Sequence, residues 1–405
     1  PYVELHAHSG FSFLDGASHP EGLVLRAKEL GYPALALTDH NGLYGSMEFA
    51  RAAKEAGIQP ITGAEVSIDP GTVPGLEELG AELCSLHRNL EPVAPDIGFH
   101  LTLLAETPEG YANLSRLLTR AHMEAEDRRS PLLLFSSLMD RERARGLVLL
   151  TGCRRSPLWA ALRDSVATGE ALLQQMLDSF GPWNVFVELQ NNSVRGDRER
   201  NKRLARLADQ FVVPVVATGN VHYHRQERYR LQDVLTSIRN RTTLDNAHPV
   251  RRANALFHLA SAEEMAHRFR SRPDAIANTL RIAQRCSAFD LTQDLGYEFP
   301  DFEGAGNGKS ATRILAETCW ALMEERYPVG PEVGAGVADG QDGHAGGRGS
   351  DPRRRPVARR RAAEKRAEAE RRPPGCLTRS ELQREPVGRI GGTNAIAGPS
   401  DNTIA

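Results

Sequence analysis

Short β-rich runs alternate with amphipathic helical stretches over the first 220 or so residues, and no other feature limits the fold as much. The runs at 3–6, 34–40, 60–68, 100–105, 146–153, 184–190 and 212–222 read as strands. Between most of them, 21–30, 46–56, 111–125, 158–180 and 198–211 repeat apolar residues at i, i+3 and i+4, the period of a helix with one buried face. Strand, helix, strand in this order is the pattern of a parallel sheet, and seven such strands predict a distorted (β/α)7 barrel of α/β class. The Pro- and Gly-rich stretch 69–99 interrupts the alternation and reads as a surface insertion. The barrel is therefore expected over residues 1–225.

From 229 to 288 the pattern turns helical. Leu231, Val234, Leu235 and Ile238 form one stripe, and Ala275, Ile276, Leu280, Ile282 and Ala283 form another. Ser261 ahead of Glu263 and Glu264 suits a helix N-cap with acidic residues in the first turn. A last helix is expected over 311–327, which makes 226–330 a small helical segment. Beyond 330 the character changes: eight glycines fall in 330–350, followed by arginine runs with scarcely an aromatic or β-branched residue to bury. Residues 331–405 are expected to be a disordered tail, and the abrupt break reads as a shift of reading frame.

The side chains that carry chemistry fall at strand ends. His6 and His8 close the first strand, where residues i and i+2 share a face and can grip one cation. Asp39 and His40 close the second, Glu65 lies in the third, Cys153 ends the fifth, and Asn220 with His222 ends the seventh. Active sites of (β/α) barrels assemble from the C-terminal ends of strands, so residues dispersed in sequence can converge there. His100 departs from the pattern, because it opens its strand. Asp15 follows the first histidine pair closely enough to reach the same place. Glu65, flanked by apolar residues, is costly to bury unless paired or metal-bound. Asp39 reads as an orienter of a histidine rather than a ligand. Glu188 reads as a solvated strand end, and His19, His87, His122 and His224 as surface or loop residues. Imidazoles, carboxylates and one thiol favour zinc or a zinc, manganese or iron cluster over calcium or magnesium. Clustered divalent ions suit phosphate-ester hydrolysis, since they generate hydroxide near neutral pH and stabilise the leaving oxygen.

Bulk properties narrow the field. Lys and Arg total 50 against 52 Asp and Glu, so net charge advertises neither nucleic acid nor membrane, and any DNA affinity must come from local patches. Five cysteines without CxxC spacing fit neither a disulfide framework nor a zinc knuckle, which points to a reducing, cytoplasmic setting. No apolar run approaches the roughly 20 residues of a spanning helix, and the first residues lack a basic then apolar leader pattern.

At HAH (6–8), FSFLDGA (11–17), ALTDHNG (36–42) and ATGNVHY (217–223) the chain resembles the polymerase and histidinol phosphatase (PHP) domain that begins the α subunits of bacterial DNA polymerase III. The resemblance runs over about residues 2–330. TGCRR (151–155), Asp290-Leu291 and LGYEFP (295–300) look closer to the error-prone, damage-induced branch than to the replicative one. The resemblance implies metal ligation by His6, His8, Asp15, His40, Glu65, His100, Cys153, Asn220 and His222, with zinc or manganese as the metal. Many members carry Asp-x-His where this chain has Asn220, and a neutral amide is the poorer ligand. It further implies a DNA-directed DNA polymerase, a nucleotidyltransferase used in translesion replication and DNA repair. DNA is the implied partner, along with the sliding clamp and other damage-response components. The polymerase reaction needs palm carboxylates holding magnesium, and none is identifiable here. A metal-dependent phosphoesterase or 3′–5′ exonuclease, and a non-catalytic structural module, stand as the alternatives.

Overall fold

In the computed structural model, residues 1–79, 98–125, 130–296 and 309–326 are described. Six strands make one sheet in chain order: β1 (Ala34–Leu37), β2 (Gln59–Ile68), β3 (Phe99–Ala105), β4 (Leu147–Leu150), β5 (Val185–Gln190) and β6 (Val215–Thr218). The expected first strand does not form a ladder of its own, yet it joins the two edges. Ala36 N donates to Glu4 O at 2.9 Å and Thr38 N to Ala7 O at 2.8 Å on one side, while His8 N donates to Val221 O at 2.8 Å and Val221 N to His6 O at 2.9 Å on the other. Residues 4–8 thereby close the sheet into a barrel, which leaves neither edge unpaired there.

The sheet is mixed rather than parallel, because β3 runs antiparallel to both β2 and β4. Its N-terminal end therefore lies where the other strands have their C-terminal ends. His100, which opened its strand in apparent violation of the barrel rule, sits in register with Ser67 near the end of β2.

The lumen changes character along its length. Phe186 lies in one buried cluster with Leu104, Val148, Leu150, Val216, Ile61, Val3 and Leu5, and Ile282, Ala283 and Cys286 join it. Two and four residues further along β5 come Glu188 and Gln190, and two and four residues earlier on β3 come Thr102 and His100; all four are buried. Alternation carries these residues to the same face as Phe186 and Leu104, so the barrel is apolar at one end and polar at the other. Removing a side chain the size of Phe186 from water is worth about 1.5–3 kcal/mol, and the apolar end supplies that stabilisation while the polar end is left for ligands. The opposite strand faces, including Leu35, Leu37, Leu101, Leu103, Val185 and Val187, pack in the cluster shared with the surrounding helices.

Those helices are α1 (Pro20–Glu29), α2 (Ser46–Ala56), α3 (Pro108–Glu124), α4 (Phe135–Leu138), α5 (Pro157–Asp164), α6 (Val166–Phe180), α7 (Asp197–Phe211), α8 (Tyr229–Arg239), α9 (Ala262–Arg268) and α10 (Pro273–Cys286). Proline at or beside the first position starts α1, α3, α5 and α10, where its missing N–H costs nothing. Ser261 caps α9 as its sequence suggests, accepting from Glu264 N at 3.1 Å. The single helix expected over 158–180 is two. Ser165 is extended and ends α5, and its hydroxyl accepts from Thr168 N at 3.0 Å to start α6. Ser165→Ala should lower unfolding free energy by about 1 kcal/mol, read from the denaturant midpoint, and an unchanged midpoint would show that the cap is not limiting.

Residues 1–300 form one compact unit. Of the residues that follow, α11 (Ala311–Arg326) is the element described. Most of the expected insertion (80–97) and the whole tail (331–405) lie outside the described residues. Among the described residues no helix is long and apolar enough to cross a membrane.

Candidate metal centre

Glu65 is the hub of the polar end. Its Oε1 lies 3.1 Å from His6 Nε2, and its Oε2 lies 2.9 Å from His40 Nδ1, 3.1 Å from His100 Nδ1 and 3.7 Å from His8 Nε2. Burial pushes the Glu65 carboxyl up, but the His100, His6 and His40 imidazoles outweigh it and hold the group well below the usual carboxylate range. Burial pushes His40 down, and Glu65 and Asp15 together outweigh it, raising His40 to about 9. His8 is instead held well below its ordinary value, by burial and then by His40 and His222.

At this barrel end three sets of ligand atoms lie within 4.8 Å of one another: His6, His8 and Glu65; His40, Glu65 and His100; His8, His40 and His222. They share members, so the cluster is continuous. Cys153 joins the second set, with Sγ 3.6 Å from His100 Nδ1. Asp15 joins the third, its Oδ2 lying 3.0 Å from His40 Nε2 and 3.1 Å from His222 Nε2. Asn220 lines the same cleft. All nine residues expected from the sequence thus meet at one barrel end.

The orientation of these groups matters more than their proximity. His6 Nε2, His8 Nε2, His40 Nδ1, Glu65 Oε1 and Asn220 Oδ1 are buried atoms without a hydrogen-bond partner. Close approach without hydrogen-bond geometry is what ligand atoms aimed at common points show, and buried polar atoms left unpaired would otherwise cost about 1–3 kcal/mol each. The donor set of nitrogens, carboxylates and one sulfur fits a zinc-like ion.

Neighbours fix the rings. Glu188 Oε1 lies 2.7 Å from His6 Nδ1, and Thr218 Oγ1 and Gln190 Nε2 donate to the same carboxylate oxygen. With a proton on Nδ1, His6 presents the Nε2 lone pair to the cluster. Glu188 is buried, not the solvated strand end expected, because β5 runs inside the barrel wall and its alternate residues face the lumen. His222 Nδ1 is held by Asn220 O at 2.8 Å, which turns Nε2 toward Asp15. Asp39 accepts from Ser9 N at 2.7 Å, Ser9 Oγ at 2.7 Å and Ser12 Oγ at 2.6 Å. Ser12 Oγ in turn accepts from His40 N at 3.1 Å and lies 3.5 Å from His8 Nδ1, so Asp39 reaches the histidines through a serine. Leu14, Asn41 and Asn220, each beside or within the expected site, have φ of 58°, 50° and 47°. Left-handed backbone at non-glycine positions is costly, and it concentrates here where side chains must be aimed.

Arg252 is a site residue that sequence reading missed. Its Nη2 lies 3.2 Å from Asp15 Oδ1, although 237 positions separate the two. Burial pushes Asp15 up, but His222 and Arg252 outweigh it and hold the carboxyl well below its ordinary value.

Residues 4–192, which hold most of this closed, mixed barrel, match the family described as the PHP domain. Relatives named as DNA polymerases match the chain over most of its length. It is 38% identical over 329 residues to "Error-prone DNA polymerase" of Symbiobacterium thermophilum, covering 78% of this chain and 28% of that protein. It is 39% identical over 345 residues to the protein of the same name from Mycobacterium bovis, covering 85% of this chain and 29% of the relative. "DNA polymerase III subunit alpha" of Treponema pallidum is 32% identical over 291 residues, covering 71% and 23%. The chain thus spans under a third of the length of these relatives, and the error-prone ones are the more similar, in line with the branch expected from its motifs.

Proposed function

We propose that this chain is the PHP part of a bacterial error-prone DNA polymerase of translesion replication and repair, and that its barrel end binds divalent cations, zinc or manganese. The observation that carries the metal site is the set of buried, unpartnered ligand atoms around Glu65. His6, His8 and Glu65 would hold one ion, His40, Glu65, His100 and Cys153 a second, and His8, His222 and Asp15 a third beside Asn220. Such ions, when bound, supply Lewis acidity and a hydroxide near neutral pH, the requirements of phosphodiester hydrolysis. The chain's own residues fix the geometry: Glu188 keeps His6 in one tautomer, and Asn220 O does the same for His222.

DNA synthesis with its magnesium ions is assigned to the portion of the relatives' length that this chain does not span, with residues 226–330 as the connector toward it. DNA, the sliding clamp and a cytoplasmic setting belong to the same reading. The metal site is tested by elemental analysis of the purified protein after zinc or manganese supplementation. The parent should carry more than one ion per chain, and His8→Ala and His40→Ala should each carry fewer. Metal content unchanged in both variants, or absent from the parent, would defeat the assignment.

A further inference from the structure

The closing segment at the start of the chain does not keep one face throughout. Val3 and Leu5 pack in the apolar cluster of the lumen, while Tyr2 belongs to the cluster shared with the surrounding helices, as alternation requires. Continued without a break, that alternation would turn His6 and His8 outward with Tyr2. They face Glu65 in the lumen instead, and Ala7 takes the outer side. Leu5 and His6 are therefore successive residues on one face, and the hydrogen bonds to β1 give the cause. Ala36 N donates to Glu4 O and Thr38 N to Ala7 O, so a step of two residues on one strand is matched by a step of three on the other. One extra residue is a β-bulge, and it moves every later side chain to the opposite face.

The side chain of Glu4 holds this bulge from the outer face. His6 N donates to Glu4 Oε1 at 3.0 Å, and Gly219 N donates to Oε1 and Oε2 at 3.1 and 2.9 Å. Tyr2 Oη donates to Oε2 at 2.8 Å. Two main-chain amides, one on each of the two segments that meet here, thus turn to a carboxylate rather than to a carbonyl. Glu4 is 1% exposed, so its oxygens depend on these donors. A Cβ at Gly219 would lie 2.7 Å from Oε2, and glycine is what lets the segment leading to Asn220 and His222 come this close.

We propose that Glu4 is a positioning residue: its carboxylate stands in for the main chain at the bulge and so sets the face on which His6 and His8 emerge. The consequence for ion binding rests on the metal-site reading, whereas the bulge itself does not.

The test compares Glu4→Met, which fills the space without an acceptor, with Glu4→Gln, whose amide oxygen can take the place of Oε1. Each full chain is titrated with cobalt(II); elemental analysis counts the ions, and the thiolate-to-cobalt absorption reports the ligand set that holds His100 and Cys153. Glu4→Met should weaken cobalt binding at the set of His6 and His8 roughly tenfold or more, with the thiolate absorption at parent strength. Glu4→Gln should resemble the parent. Gly219→Ala should reproduce the methionine variant from the opposite segment, and it decides the matter if Glu4→Met does not fold. Parent-like cobalt affinity in Glu4→Met and Gly219→Ala overturns the proposal. So does an equal loss in Glu4→Gln, or a thiolate absorption lost together with the ions, which would mean general damage. A parent that takes up no cobalt defeats the metal-site reading alone, and amide hydrogen exchange of the metal-free protein then decides. Exchange at His6 and Gly219 should be faster in Glu4→Met and parent-like in Glu4→Gln; unchanged exchange at both amides in Glu4→Met overturns the proposal.

Discussion

Glu65→Gln should strip the barrel end of all but one of its ions. The carboxylate belongs to two of the three ligand sets and contacts four imidazoles, at 3.1 Å from His6, 2.9 Å from His40, 3.1 Å from His100 and 3.7 Å from His8. Glutamine keeps the shape and removes the charge, so the four rings would surround a neutral group. Metal affinity at the two shared positions should fall by roughly a hundredfold or more, since even partners of ligands are worth 10–100-fold. Elemental analysis after dialysis measures it, and parent-like metal content would show that Glu65 is not a ligand.

The metal-free protein gives a second readout of the same substitution. His40 is raised to about 9 in the folded chain, above its ordinary value, so protonated His40 contributes stability that is complete below about pH 6.5 and lost as pH rises toward 9. Glu65 is the largest cause of that rise, with Asp15 behind it. The decline in melting temperature between those pH values should be smaller in Glu65→Gln than in the parent. Equal slopes would mean that the Glu65 carboxylate does not govern His40.

Much of this cluster was legible because its residues sit where strands end, and strand ends are visible as breaks between period-2 and period-3.6 patterns. His6, His8, His40 and His222 needed only that rule. His100 did not fit it, since strand direction is not written in the local sequence: 99–105 has the same apolar pattern whichever way it runs. Glu188 was misread for a related reason. A carboxylate at the end of an apolar run looks solvated until the barrel closes around it, and closure depends on residues 4–8 pairing with both Leu35 and Val221. The division of 158–180 at Ser165 was hidden because the apolar period continues through the break, and one serine hydroxyl decides it. Arg239 and Arg252 lie outside any pattern. They reach Asp15 across more than 220 positions through the packing of α8 and the loop after it, which periodicity does not report.

Asn220→Asp is expected to act in the opposite direction from Glu65→Gln and to separate metal binding from folding. The position has φ 47°, a left-handed conformation that both asparagine and aspartate can adopt, so the exchange keeps a residue type compatible with the backbone. What changes is charge. Asn220 Oδ1 is buried and unpartnered, and the nearby imidazoles are held neutral: burial, then Arg252, lowers His222 to about 4, and His8 is also held well below its ordinary value. A carboxylate added there supplies the negative charge that a divalent ion lacks at this end of the cluster, and affinity for zinc or manganese should rise by about an order of magnitude, which is about 1.4 kcal/mol. Without metal the same carboxylate is a buried anion beside neutral rings, a costly arrangement unless Arg252 reaches it. The melting temperature of Asn220→Asp should therefore lie below the parent's in chelator and above it with saturating metal. Cleavage of a phosphodiester such as bis(p-nitrophenyl) phosphate should rise with occupancy, since the amide is the one departure in the expected ligand set. A lower melting temperature under both conditions, with unchanged metal content, would show that residue 220 faces the cluster without serving it.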